Sequence, residues 1–191
     1  GFTTSVFSAS YIGHELDIGR LTPANLRFYH AMYQALMFAM NLALLANNIG
    51  LMWVAVELAT LTTVLMVGIY RTHEALEAAW KYFILSSVGI ALALFGTILV
   101  YMAAQHVMGA GQDAMVWTSL IAKAAEFSPD LLNLAFIFLM LGYGTKVGLA
   151  PLHAWLPDAH AEGPTPISAV LSGLLLNVAL YAVLRFKMLL A

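Results

Sequence analysis

The sequence predicts an all-α membrane protein of about five transmembrane helices, one of them discontinuous, and three observations carry that expectation. Hydrophobic residues make up 62% of the 191 positions and charged residues only 9%, whereas a soluble domain carries about 25% charged residues. Apolar runs recur at roughly 20 residues, the length that crosses about 30 Å of hydrocarbon at 1.5 Å per residue. The stretches between them are too short to hold a soluble domain. Residues 1–28 read as a polar N-terminal segment, with His14, Glu15, Asp17, Arg20 and Arg27, and residues 29–191 as the transmembrane bundle.

Each span has its own signals. The first covers about 29–49 and the second about 50–70, joined at Asn47-Asn48-Ile49-Gly50, a run of turn-forming residues. The third covers about 80–102, after the short loop RTHEALEAA. A longer connection, 105–130, contains MVWTSLIAKAAEF, which is able to form an amphipathic interfacial helix. The fourth span, about 131–150, ends in LGYGTKVGLAP, where three glycines, a lysine and a proline crowd the last turns. Backbone groups freed at membrane depth must be satisfied by protein or by water in a cavity, and transporters hold ions at such breaks. The loop PLHAWLPDAHAEGPTP follows, and the fifth span covers about 166–190. GFTTSVFSAS has no basic n-region and does not read as a signal peptide. Both ends read as cut, which suits a piece of a longer polypeptide.

Charge narrows the function classes. A net charge of −2 suggests neither nucleic-acid binding nor a polybasic lipid anchor. With no cysteine, this chain carries no cysteine-ligated zinc or iron–sulfur site. No phosphate-binding glycine loop, GxSxG elbow, zinc-spaced histidines or paired carboxylates occur, so hydrolase or transferase chemistry has no foundation here. With five spans, Arg20, Arg27, Arg71 and Lys81 fall on one side and Lys123, Arg185 and Lys187 on the other. That small excess leans the first side toward the cytoplasm.

The charges inside the spans carry the chemistry. Glu57 lies well within the second span, where an ionisable group costs about 2.5–3.5 kcal/mol to insert and so faces a partner or water. It is either a proton-exchanging group or a carboxylate satisfied by Thr or Asn that only holds the bundle together. Lys146 follows about fifteen mostly apolar residues and sits inside the glycine-rich break. It reads as a proton carrier in a partly wet cavity, with snorkelling to the interface as the alternative. Lys81 opens the third span, a place where lysines ordinarily snorkel. Glu57 lies roughly 20 Å by helix rise from that end of the hairpin, so a direct Glu57–Lys81 pair is not expected. His153 and His160 bracket a Trp-Leu-Pro-Asp turn and suit either a proton relay or a structural role, and Asp158 reads as a turn residue.

From Lys146 onward the sequence TKVGLAPLHAWLPDAHAEGPTPISAVLSG resembles the signature of the antiporter-like family of proton-translocating membrane subunits. That family comprises large membrane subunits of respiratory complex I, Mrp-type cation/proton antiporters and energy-converting membrane hydrogenases. MWVAVELATL and EAAWKYFILSSVG match its glutamate helix and the lysine that opens the next. The resemblance runs from about 29 to 190 and is nearest to the hydrogenase-4 and formate hydrogenlyase component F group. It implies one repeat of an inverted-repeat transporter fold, with Glu57 and Lys146 as the pair of one half-channel and Lys81, His153 and His160 along the proton path. Where many relatives carry a central lysine in the following helix, this chain has Asn177, which holds water but takes up no proton.

The resemblance further implies a subunit of a redox-coupled complex in the cell inner (plasma) membrane. Redox cofactors would then reside in other subunits, membrane and peripheral, and none in this chain. A Na⁺/H⁺ antiporter subunit, a non-conducting membrane anchor and a bicarbonate-uptake module on the same scaffold are the alternatives.

Overall fold

Turn chemistry sets the helix boundaries. The computed structural model describes residues 1–190. Helix α1 covers Phe2–Asp17, α2 Pro23–Leu45, α3 Ile49–Val67 and α4 His73–Met108. A short α5, Trp117–Ala122, precedes α6, Pro129–Val147, and α7, Leu156–Glu162. Helices α8 (Thr165–Val170) and α9 (Leu176–Met188) join through one π-helical turn at Leu171–Leu175 into a continuous rod. Thr22, Asn48 and Thr72 cap α2, α3 and α4 by accepting the backbone N–H of Asn25, of Gly50 and Leu51, and of Ala75. Gly148 ends α6 at φ 78°, a left-handed conformation that glycine adopts without penalty.

By length and composition, α3 with its terminal turn, α4, α6 and the α8–α9 rod can each cross a membrane. Helix α2 is 23 residues long, but Arg27, His30, Gln34 and Asn41 dilute its apolar character. These five long helices and the break between α6 and α7 make an all-α, multi-pass membrane bundle. The helices extend past the apolar runs because the caps lie in the polar flanks: α2 starts at Pro23 and α4 at His73. The polar N-terminal segment contains α1, anchored by the Ser8 hydroxyl to the Tyr29 hydroxyl at 3.0 Å. The 105–130 connection is more broken than an amphipathic helix. Trp117 N–H donates to the Asn47 carbonyl at 2.8 Å and Asn47 Nδ2 to Thr118 Oγ1 at 3.0 Å. These bonds pin the segment to the α2–α3 turn, and its helix lasts six residues.

The bundle is packed by small residues. Ala39, Ala43, Ala55, Ala59, Ala93 and Ala135 are buried, while Phe38, Leu45, Ile84, Val88 and Leu184 face outward. In lipid no hydrophobic force drives helices together, so close backbone approach does the work. The tightest seam joins α4 to α6: a methyl group on Gly142 would lie 2.5 Å from the Gly89 carbonyl oxygen and from the Ala93 nitrogen. The glycines at 89, 96 and 142 are therefore contact surfaces. Trp53 Nε1 donates to the Ile90 carbonyl at 2.9 Å, tying α3 to α4. Tyr181 and Arg185 of α9 reach the Leu44 and Ala46 carbonyls, so α9 runs parallel to α2.

Candidate functional site

Helix α3 places Glu57, Thr60 and Thr63 three residues apart, on one face. Thr60 Oγ1 donates to the Val56 carbonyl at 2.9 Å, which leaves its lone pairs free to accept. Lys146, in the last turn of α6, is 1% exposed and donates from Nζ to that Thr60 oxygen. Glu57, one turn before Thr60 on α3, is half-buried; its carboxylate acts on Lys146 through space, with no direct ion pair between them among the described residues. Glu57 Oε2 is buried without a hydrogen-bond partner among the described residues. An unpartnered buried carboxylate oxygen is expensive and calls for a specific reason.

Aromatic side chains form the rest of the wall. Lys146 Nζ stands 5.4 Å from the centre of the Tyr82 ring, close enough for a cation–π contact. The Tyr82 hydroxyl meets Thr63 Oγ1 at 2.8 Å, and because Thr63 already donates to α3 carbonyls, tyrosine is the donor. Trp155, fully buried in the loop after α6, stacks on Tyr82 with ring centres 4.4 Å apart and planes 17° apart. Its indole Nε1 donates to the Thr145 carbonyl at 2.8 Å. That carbonyl, in the last turn of the helix, otherwise accepts only a long bond from the Gly148 N–H, at 3.3 Å. The loop thus folds back and closes the broken end of α6 next to Lys146.

The other sequence-derived candidates stand elsewhere. Lys81 is exposed and bridges Glu77 at 2.7 Å and Asp158 at 3.0 Å, so Asp158 joins α7 to α4 instead of serving only its own turn. His153 is exposed. His160 is half-buried, and burial holds its imidazole below the ordinary range; its carbonyl accepts from Ser168 Oγ at 3.1 Å. Asn177 is exposed and donates from Nδ2 to the Gly173 carbonyl at 2.8 Å, in the π-helical turn. The structure therefore brings Glu57 and Lys146 together and leaves Lys81, His153, His160 and Asn177 apart from them. Thr60 and Thr63 were findable from their spacing to Glu57. Tyr82 and Trp155 carry no local signal, because their roles depend on which helices meet.

Comparison with known proteins agrees with the all-α membrane fold. Residues 46–191 match the family described as NADH:quinone oxidoreductase/Mrp antiporter, transmembrane. A hydrogenase-4 component F homolog from Methylacidiphilum infernorum (isolate V4) is 70% identical over all 191 residues, which span 40% of that relative. The membrane-bound sulfane sulfur reductase, an archaeal respiratory membrane complex, contains a chain that superposes with a TM-score of 0.72. That chain is 25% identical, and the match covers 80% of this chain and 30% of that one. Respiratory complex I from Thermus thermophilus contains another, at TM-score 0.66 and 29% identity, over 82% of this chain and 33% of that one.

Proposed function

This chain belongs to the NADH:quinone oxidoreductase/Mrp antiporter transmembrane family, and on that footing we propose that it serves as a proton-translocating segment of a redox-coupled membrane complex. The complex is most akin to a group 4 membrane-bound hydrogenase or a complex I relative, in the cell inner (plasma) membrane. Its redox cofactors belong to neighbouring subunits, with a peripheral hydrogenase or dehydrogenase arm among them. The similarity to a hydrogenase-4 component F homolog supports the choice of complex.

One observation carries the reading: the fully buried ammonium of Lys146, held on Thr60 within reach of the unpartnered Glu57 carboxylate. The negative charge on Glu57 favours a protonated Lys146; neutralising or screening Glu57 removes that support and lets the proton leave. Thr60 keeps a lone pair toward Nζ, and the Tyr82 and Trp155 rings exclude water from one side. A small electrostatic change at Glu57 therefore shifts where the proton rests. One charge crossing 100 mV is worth about 2.3 kcal/mol, which sets the scale that such a lever has to supply. His153 and His160 serve the outer stages of the route, where protons are handed to and from the pair, and Asn177 holds water on the way; Lys81, already paired with Glu77 and Asp158, has only a minor share.

The test uses the full-length protein in its assembled complex, in sealed membrane vesicles driven by the electron donor. Glu57→Gln and Lys146→Ala should each abolish acidification while electron transfer and subunit assembly persist. Unchanged acidification in Lys146→Ala would instead indicate a structural anchor. Sodium flux without a redox partner would indicate an antiporter.

A further inference from the structure

Two open cavities on the outer face of the α3–α4 hairpin share Leu65, Gly68 and Leu76, and so form one groove. One arm, about 450 Å³, runs along the membrane-spanning helices between Leu61, Val64, Trp80 and Phe83. The other arm, about 480 Å³, passes Phe28 and ends at Ala24, Asn25 and Arg71. The groove is thus apolar along its depth and polar at one end.

That end is electropositive. Helix α2 opens at Pro23 and α4 at His73, so the positive ends of two long helix dipoles flank Arg71. Arg71 is exposed and makes no ion pair among the described residues. The nearest acidic side chains in sequence, Glu74 and Glu77, line a separate cavity with Lys81, Asp158 and Glu162. Arg71 also holds a φ of 55°, in the left-handed region that is costly for any residue but glycine. A turn needing only that backbone would be served better by glycine, so the strain directs attention to the guanidinium itself.

We infer that this groove binds a phospholipid with an anionic headgroup. Its acyl chain lies along Leu61, Val64, Trp80 and Phe83, and its phosphate sits at Arg71 beside the Asn25 amide. A guanidinium pairs with phosphate through a planar, two-pronged set of donors, which suits this end of the groove. Free phosphate makes no use of the apolar arm. A packed protein helix would leave Arg71 unpaired unless it brought a carboxylate of its own. Trp80, 62% exposed, flanks the chain as aromatic side chains do near membrane interfaces.

The experiment places a photoreactive phenylalanine analogue at Leu76, which borders both arms. The full-length protein in its complex is reconstituted in vesicles of equal parts phosphatidylglycerol and phosphatidylcholine, irradiated, and its adducts weighed by mass spectrometry. Phosphatidylglycerol adducts should exceed phosphatidylcholine adducts roughly fivefold, the preference one basic residue provides near a membrane surface. Arg71→Gln should bring the ratio to about one, and Arg71→Lys should retain part of it. Equal adducts in the unsubstituted protein mean ordinary boundary lipid and overturn the site. A protein adduct means a neighbouring helix covers the groove and overturns it equally. So does a preference that survives Arg71→Gln.

Discussion

Lys146 and Lys81 are the same residue type near the ends of two neighbouring helices, yet their surroundings are opposite. Lys146 is 1% exposed, rests on a threonine oxygen and an aromatic ring, and has one carboxylate within Coulombic reach. Lys81 stands at the surface between Glu77 and Asp158. A charge withdrawn from water depends strongly on its few neighbours, whereas an exposed pair is screened by solvent and salt. The comparison teaches that the state of the first charge is controlled by a few buried neighbours, whereas the second fastens α7 to α4.

The largest expected effect breaks the buried site directly. Lys146→Ala should slow proton translocation by about 10² or more, the scale of a lost proton-transfer group, as read by a pH-sensitive dye in vesicles. The seam beneath it is next. Gly142→Val should cost at least about 1–3 kcal/mol, because its side chain meets α4 backbone, and thermal unfolding in detergent measures this. Trp155→Phe sharpens the comparison: it keeps a ring on Tyr82 but leaves the Thr145 carbonyl without its indole donor. It should cost about 1 kcal/mol in the same unfolding assay and lower translocation several-fold. Lys81→Ala should alter translocation less than about twofold, and any effect should fade with added salt. A hundredfold loss there would reverse the assignment of the two lysines.

His160 gives the smallest effect and a defined sign. Burial disfavours its imidazolium in the folded protein, while the unfolded chain takes up a proton near pH ~6.5. Stability is therefore full above that range and declines as pH falls through it. His160→Gln should flatten the slope of unfolding temperature against pH between about 7 and 5.5.

Much of this was legible in the residues. The helical membrane class followed from apolar runs and scarce charge, and the break after α6 from Gly148 and Pro151. The glycines read less well. Gly142 looks like part of a helix break in LGYGTKVG, yet it lies within α6 and presses against Gly89 and Ala93 of α4. A missing side chain serves a bend and a close contact equally, and only the partner distinguishes them. Asp158 read as a turn residue, because its partner Lys81 is 77 positions away.

By itself the sequence determined which segments are helical and apolar enough for a bilayer, and that Glu57 and Lys146 are charges within them. Those properties follow from local composition and the cost of burying charge, so they need no knowledge of neighbours. The tertiary structure decided what each charge faces. It set Lys146 on Thr60 and Tyr82, closed that space with Trp155, and turned Lys81 toward Asp158. These contacts join different helices, and helix crossing is governed by close packing such as the Gly89–Gly142 seam, whose partners no single segment specifies.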